Sequence, residues 1–249
     1  ENEEYIKRMM SIVHGLTVST EKLKEVYSKY NPHIEVVPNH LPKFIWGDII
    51  PKHENKPRET RPRILWAGSE NHFAVAQMGM KGGDFGDELL NYIRKTTDKY
   101  QWVLCGGKPQ ELLDLIQSKK IEYHGWRNIF EYPGFLKSLD VDIAVAPLIP
   151  GLFNECKSNI KMLEYTALGI PAVYSKIEPY KNASLQGGTD GEIIECIERL
   201  VDNIDLRRDT WKQDYETLKD QLWWEDNNFK NLKHYINASL SLFDKKIPF

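Results

Sequence analysis

The sequence predicts an α/β fold: a parallel β-sheet with helices on both faces, followed by a helical C-terminal tail. Three observations predict it. Short apolar runs alternate with helix-spaced segments between residues 15 and 175, which is the order of βαβ units. Those runs are apolar throughout instead of alternating with polar residues, as expected of strands covered on both faces. From about residue 189 onward apolar residues recur only at helical spacing, as in Ile193, Ile194, Ile197 and Leu200.

The elements follow in order. "GLTVS" (15–19) reads as a strand, and "TEKLKEVYSKY" after it as a helix with Ser19 or Thr20 as N-cap. "IEVVP" (34–38) is a second strand. Residues 41–62 hold four prolines, at 42, 51, 57 and 62, among many charges, and are expected to be a linker. The alternation then restarts. "RILWAG" (63–68) precedes a helix near 84–96, "WVLCGG" (102–107) a helix over 109–119, and "IEYHG" (121–125) a short helix near 132–139. "DIAVAPL" (142–148) leads into "FNECKSNIKMLEYTALGI", and "PAVYS" (171–175) is the strand beyond it. This gives four expected parts: 1–40 as one βαβ fragment, 41–62 as linker, 63–188 as the main domain, and 189–249 as helices. The fragment at 1–40 is too small to be a domain. It is either the end of an earlier sheet or an addition to the second one.

Composition removes several function classes. The chain has 249 residues, 28% of them charged, with a formal net charge of -3. There is no basic field to favour nucleic acid as a partner. No apolar run approaches the roughly 20 residues that span a bilayer, and the chain opens Glu-Asn-Glu-Glu, without a secretory leader. Cys105, Cys156 and Cys196 are scattered, which predicts neither a disulfide framework nor a zinc site and fits a reducing, cytoplasmic setting. Asp140-Val141-Asp142 has the spacing of a metal-binding pair but directly precedes an apolar strand, so no metal role is expected of it.

The chemistry concentrates at strand ends. In open parallel sheets ligands bind at the carboxyl ends of the strands. Here those ends carry Gly68-Ser69-Glu70-Asn71-His72, then Gly106-Gly107-Lys108, then Ile149-Pro150-Gly151 before the helix that begins near Asn154. A helix start offers unpaired N–H groups and a positive dipole end, which suits an anion. Lys157, Lys161 and Glu164 are spaced to share one helical face. Two cations near the start and a carboxylate one turn on suit a diphosphate and a diol. The same residues also read as an ordinary surface ion pair, and the glycines as turn punctuation. His72 is a candidate ligand contact past a strand end. His124 reads as a satisfied core histidine, and Cys156, without a histidine partner nearby, not as a nucleophile.

These residues carry a resemblance. From Thr17 to about Phe243 the chain resembles the C-terminal, nucleotide-sugar-binding part of a GT-B glycosyltransferase of the retaining group 1, family 4-like type. The carrying stretches are "TVST" (17–20), "VVPN" (36–39), "ILWAGSENH" (64–72), "GW" (125–126), "DIAVAPL" (142–148) and above all "FNECKSNIKMLEYTALGIPAVYS" (153–175). The resemblance implies a Rossmann-like domain, with residues 1–40 as the last βαβ of an acceptor-side domain and a terminal helix crossing back to it. It implies that Glu164 binds the nucleotide ribose. Cys156 stands where the family usually has a first glutamate, in an Asn-x-Cys-Lys-Ser form of the motif. In that form the resemblance implies Asn154, Lys157, Ser158, Asn159 and Ile160 around the diphosphate, partly through backbone N–H groups.

The usual Arg/Lys pair after the first strand is not evident, with Ser69 and His72 occupying that region, and Gly125-Trp126 matches the family segment that lies near the base. The implied chemistry is sugar transfer from a nucleoside diphosphate sugar, such as a UDP or GDP sugar, without a permanently bound cofactor or a required metal. Lys157, Lys161 and His72 are the expected catalytic groups. Gly68, Ser69, Gly106, Trp126, Asn154, Ser158, Asn159, Ile160 and Glu164 are the expected donor-binding ones. The acceptor is left open among a glycan, a lipid-linked sugar, a protein and a modified nucleic acid. A further domain or partner chain is expected to supply its site. The alternatives are a non-catalytic nucleotide-sugar-binding or scaffold module and a GT-B-fold sugar-nucleotide epimerase.

Overall fold

The structure, a computed structural model, describes residues 2–47, 60–73 and 83–240. Positions 48–59 of the expected linker and the last residues, 241–249, lie outside these. Six parallel strands make the central sheet: β3 (Arg63–Gly68), β4 (Gln101–Gly106), β5 (Glu122–His124), β6 (Ile143–Ala146), β7 (Ala172–Ser175) and β8 (Gln186–Gly187). Their order is β5-β4-β3-β6-β7-β8. The chain runs outward from β3 on one side, then returns to β6 and runs outward on the other. A crevice therefore opens beyond the carboxyl ends of β3 and β6, where the two halves diverge. The two-residue edge strand β8 is an addition to the predicted set.

Side-chain alternation divides the core between the two faces of this sheet. Leu65, Ala67, Val103, Ala144, Ala172 and Tyr174 face one way. They pack against α6 (Tyr132–Ser138), α8 (Ile160–Leu168) and α10 (Ile204–Leu218). Ile64, Trp66, Trp102, Leu104, Ile143, Val145 and Val173 face the other way, against α4 (Asp87–Thr96) and α9 (Asp190–Asp202). The continuous apolar strands follow from this double cover. The expected helix over 109–119 is shorter, a 3₁₀ turn followed by α5 (Leu113–Gln117).

The first part of the chain does not join the main sheet. β1 (Leu16–Val18) and β2 (Ile34–Val36), linked by α2 (Glu21–Tyr27), pair in parallel as a sheet of their own. Thr20 caps α2 by accepting from the Leu23 N–H. A helix the sequence did not announce, α1 (Asn2–Ile12), precedes them. Its end is held by Asn31, whose Nδ2 donates to the Met10 and Val13 carbonyls.

Residues 41–47, within the stretch expected to be linker, are folded. Leu41 bridges to Trp223, donating to the Leu222 carbonyl at 2.8 Å and accepting from Trp224 N at 2.9 Å. α3 (Lys43–Trp46) follows and buries Trp46 in the core. The final helix, α11 (Trp224–Leu240), lies on β1 and β2, where His234 Nδ1 meets Glu35 Oε2 at 2.7 Å. Among the described residues no helix is long and apolar enough to cross a membrane.

Candidate functional site

The single helix predicted from Asn154 onward is two helices. α7 (Leu152–Glu155) ends at Cys156, and α8 begins only at Ile160, with Asn159 as N-cap at φ -79 and ψ 27. Tertiary contacts account for the break. The Cys156 carbonyl accepts from the Thr20 hydroxyl at 3.1 Å. Ser158 Oγ accepts from Asn39 Nδ2 at 2.7 Å, and the Asn159 and Gln221 side-chain amides exchange hydrogen bonds at 3.2 Å. Residues 156–159 are thus pinned to the first sheet and to the turn before α11. Lys157 sits in this pinned segment, so it does not share a helical face with Lys161 as its spacing predicted.

α8 also lacks the polar face expected of it, because Met162 through Leu168 are all buried. It ends where the sequence indicates. Gly169 takes the left-handed conformation at φ 74 and donates to the Thr166 carbonyl, Ile170 N donates to the Tyr165 carbonyl, and Pro171 prevents continuation.

A cleft of ≈ 570 Å³ lies at the carboxyl ends of the strands. Gly68, Ser69 and His72 line it from the end of β3, Gly106 from β4 and Trp126 from beyond β5. Ile160, Lys161 and Glu164 line it from α8. The other four predicted residues do not line it. Asn154 is buried, with Nδ2 donating to Asp84 Oδ1 at 2.7 Å and to the Ile149 carbonyl at 2.9 Å. Lys157 Nζ turns toward Asp84 Oδ2 at 3.4 Å, over the Phe153 ring. Ser158 and Asn159 hold the partners given above.

The inner wall of the cleft is a charged cluster. Lys161 Nζ lies 2.7 Å from Glu164 Oε2 and 3.4 Å from the Tyr132 hydroxyl, which itself donates to Glu164 Oε2 at 3.5 Å. Burial would favour the neutral amine, but the adjacent carboxylate outweighs it and keeps the Lys161 pKa above the usual lysine value. Burial pushes the Tyr132 phenol well up, with the Glu164 charge adding to it. All contacts of Glu164 among the described residues fall on Oε2, so Oε1 keeps its acceptor capacity. The amides of Ser158, Asn159 and Ile160 have no acceptor among the described residues.

Glycine at the strand ends has a steric cause. Gly106 has φ +92, and a Cβ there would stand 2.3 Å from the Gly68 carbonyl oxygen, which accepts from Gly107 N at 2.7 Å. The Gly106 carbonyl takes the Tyr123 hydroxyl at 2.8 Å. These glycines let the loop after β3 lie on the loop after β4, and so close the cleft floor.

Sequence reasoning missed Asp84, which is 3% exposed. It receives His72 Nδ1 at 2.7 Å, Asn154 Nδ2, Lys157 Nζ and the Ile149 N–H at 3.2 Å. Burial works against its charge, but the His72 hydrogen bond and the Lys157 charge prevail, and its pKa lies below the usual aspartate value. The adjoining glycine pair hinted at a tight turn, but nothing local named these partners. Tyr132 and Trp46, both at the cleft, were also missed as site residues.

The other sequence candidates are structural. His124 Nε2 is bonded to Glu122 at 2.8 Å. Asp142 accepts from Arg63 N at 2.8 Å and meets Arg207 at 3.4 Å, at the opposite end of the sheet from the cleft. All three cysteines are free; burial raises the thiol pKa of Cys105 to about 12 and also raises that of Cys156.

No protein-family model matches the sequence, and no curated protein matches it. Solved structures do match its fold. TarM aligns with 95% of this chain at 13% identity and a TM-score of 0.62. HepE of Anabaena, solved with UDP and glucose, aligns with 96% at 9% identity and a TM-score of 0.64. The pneumococcal O-GlcNAc transferase GtfA, solved with UDP and GlcNAc, aligns with 95% at 15% identity and a TM-score of 0.56. The chain spans 45%, 68% and 48% of those three chains. At these identities the likeness is one of fold: these neighbours are GT-B glycosyltransferases, and this chain shares the Rossmann-like architecture with C-terminal helices.

Proposed function

We propose that the cleft binds a nucleoside diphosphate sugar and that the chain is the donor-binding part of a glycosyltransferase. The observation that carries this reading is the pairing of Lys161 with Glu164 in the wall of a strand-end cleft. They lie just inside a helix start whose amides have no acceptor among the described residues. Glu164 Oε1 is the acceptor for two adjacent ribose hydroxyls. Lys161 and the amide of Ile160 take the diphosphate, with the Gly68–Ser69 backbone on its other side. Trp126, 70% exposed, offers a flat face to the base.

In transfer, the bond from the anomeric carbon to the diphosphate oxygen breaks while the acceptor oxygen bonds to that carbon and gives up its proton to the departing diphosphate. Negative charge then grows on the diphosphate, where fixed positive charge lowers the barrier. No metal is needed for that step in this reading. The acceptor site belongs to a further domain or a partner chain. The fold's neighbours include complexes with UDP and with UDP-glucose, which supports a uridine donor as the first to try.

Calorimetry with uridine and guanosine diphosphates and their hexose derivatives tests the reading. Glu164→Ala and Glu164→Gln are both expected to weaken binding roughly ten- to a hundredfold, the loss of a charged hydrogen-bond acceptor. Unchanged affinity in both variants removes the ribose assignment. A second reading, binding without transfer, is favoured by one fact: neither Cys156 nor Lys157 lines the cleft. Release of labelled sugar from the donor separates the two.

A further inference from the structure

The Lys161–Glu164 pair has a third member that the donor site above leaves without a role. Tyr132 opens α6, where its N–H donates to the Asn128 carbonyl at 2.9 Å and Pro133 follows at a position that needs no donor. Packing of α6 on α8 brings the phenol to the cleft wall. The ring is held there from two sides. Trp46 meets it edge-on at 6.0 Å, and Lys161 Nζ lies 5.8 Å from its centre.

The hydroxyl of Tyr132 carries a single hydrogen and stands between two groups of opposite kind. The Lys161 ammonium only donates, and the Glu164 carboxylate paired with it only accepts. The order of the hydrogen bonds is therefore fixed. Lys161 Nζ donates to the Tyr132 oxygen at 3.4 Å, and the Tyr132 O–H donates to Glu164 Oε2 at 3.5 Å. Burial pushes the phenol pKa well up, so the hydrogen stays in place. Lys161 itself meets Oε2 at 2.7 Å, which gives that oxygen two donors. A carboxylate has about four lone-pair sites, shared equally by its oxygens. Those of Oε2 are taken by the protein, and those of Oε1 have no donor among the described residues.

We propose that Tyr132 is a positioning residue that turns Glu164 so that Oε1 alone meets the ribose, and that the site thereby selects ribonucleoside over 2′-deoxyribonucleoside diphosphate sugars. This rests on the donor site proposed above. Both ribose hydroxyls converge on one oxygen whose direction is set before the ligand arrives, so binding the diol costs no ordering of the carboxylate. A 2′-deoxy donor, such as a thymidine diphosphate sugar, supplies one of the two hydrogens and leaves a charged acceptor short of the other. Lys161 uses two of its three N–H groups in this arrangement, so the third meets the diphosphate without releasing Glu164.

Calorimetry on the full chain with uridine and guanosine diphosphates and their 2′-deoxy forms tests this, because each pair differs only in that hydroxyl. Wild type is expected to bind the deoxy ligands about tenfold more weakly, the loss of one hydrogen bond to a charged acceptor. Tyr132→Phe keeps the ring and removes the O–H, which leaves Glu164 held by Lys161 alone. The ribonucleotides are then expected to bind several-fold more weakly and the deoxy ligands nearly as before, so the penalty for the missing hydroxyl shrinks to about threefold. A role confined to packing weakens both ligands alike. A penalty in Tyr132→Phe equal to or larger than that of wild type overturns the inference, and so does a wild-type penalty below about twofold. If neither ribonucleotide binds, the donor site falls and this inference with it. Binding that Glu164→Ala weakens, with the same hydroxyl penalty in wild type and Tyr132→Phe, overturns this inference alone.

Discussion

A buried ionisable group needs a partner to keep its charge and otherwise turns neutral, and two residues of this protein take the two courses. Lys161 keeps its charge because Glu164 is 2.7 Å away. Asp214, 2% exposed on α10, has the Ser184 N–H at 2.7 Å but, among the described residues, no cation that offsets its burial, and its pKa is raised to about 6. The unfolded carboxyl ionises near 3.9. Between about pH 4 and 6 the folded chain therefore holds a proton that the unfolded chain has lost, and stability falls as pH rises through that window. The fall is on the order of 3 kcal/mol.

Asp214→Asn keeps an acceptor for Ser184 and has no charge to bury. Urea unfolding of both proteins at pH 4 and pH 7.5 is expected to show the variant gaining roughly 2–3 kcal/mol on wild type between the two. An equal difference at both pH values refutes this account. Legibility at this scale followed locality. Glu164 and Lys161 were readable because both lie on one helix, three residues apart. Asp84 was not, since its partners at 72, 149, 154 and 157 come from the turn after β3, the loop after β6, helix α7 and the break before α8.

Helix ends were readable wherever a single side chain or glycine makes them. Gly169 before Ile170-Pro171 marked the end of α8, and the pair Ser19-Thr20 the start of α2, where Thr20 is the cap. The start of α8 was misplaced because the break at 156–159 is imposed by Thr20, Asn39 and Gln221, remote residues that leave no trace in the local pattern. The expected effect of a local signal can be measured at α9. Thr189 is extended, at φ -131 and ψ 162, and its hydroxyl accepts from Glu192 N at 3.2 Å, while Glu192 Oε2 reaches back to Gly188 N. Thr189→Ala is expected to cost about 1 kcal/mol. For a chain of this size that lowers the melting temperature by about 2–4 °C, and Thr189→Ser is expected to recover most of it. A loss equal in both variants assigns the effect to the threonine methyl instead.

At the scale of the whole molecule, the parallel sheet with helices on both faces was legible because each strand announces its own burial. The clamp between residues 41–47 and 222–226 was not. A stretch rich in proline and charge reads as linker, and its partners lie about 180 positions away. Yet Lys43 N is capped by both oxygens of Glu225 at 2.9 Å. Trp46, 5% exposed, packs in the core with its ring edge-on to Tyr132 at 6.0 Å. Tyr132 in turn touches Lys161 and Glu164. The segment leading from the first sheet thus supports the wall of the cleft.

Trp46→Ala is expected to destabilise the chain by about 3–5 kcal/mol, the range for emptying a buried aromatic site. It is also expected to weaken nucleotide binding several-fold, because Tyr132 loses the ring that braces it. Trp46→Phe keeps an aromatic edge and is expected to retain more of both. Urea unfolding and calorimetry on the same samples separate the effects. Lost stability with unchanged affinity in Trp46→Ala limits α3 to packing, whereas loss of both, with partial recovery in Trp46→Phe, makes the junction between the two sheets part of the donor site.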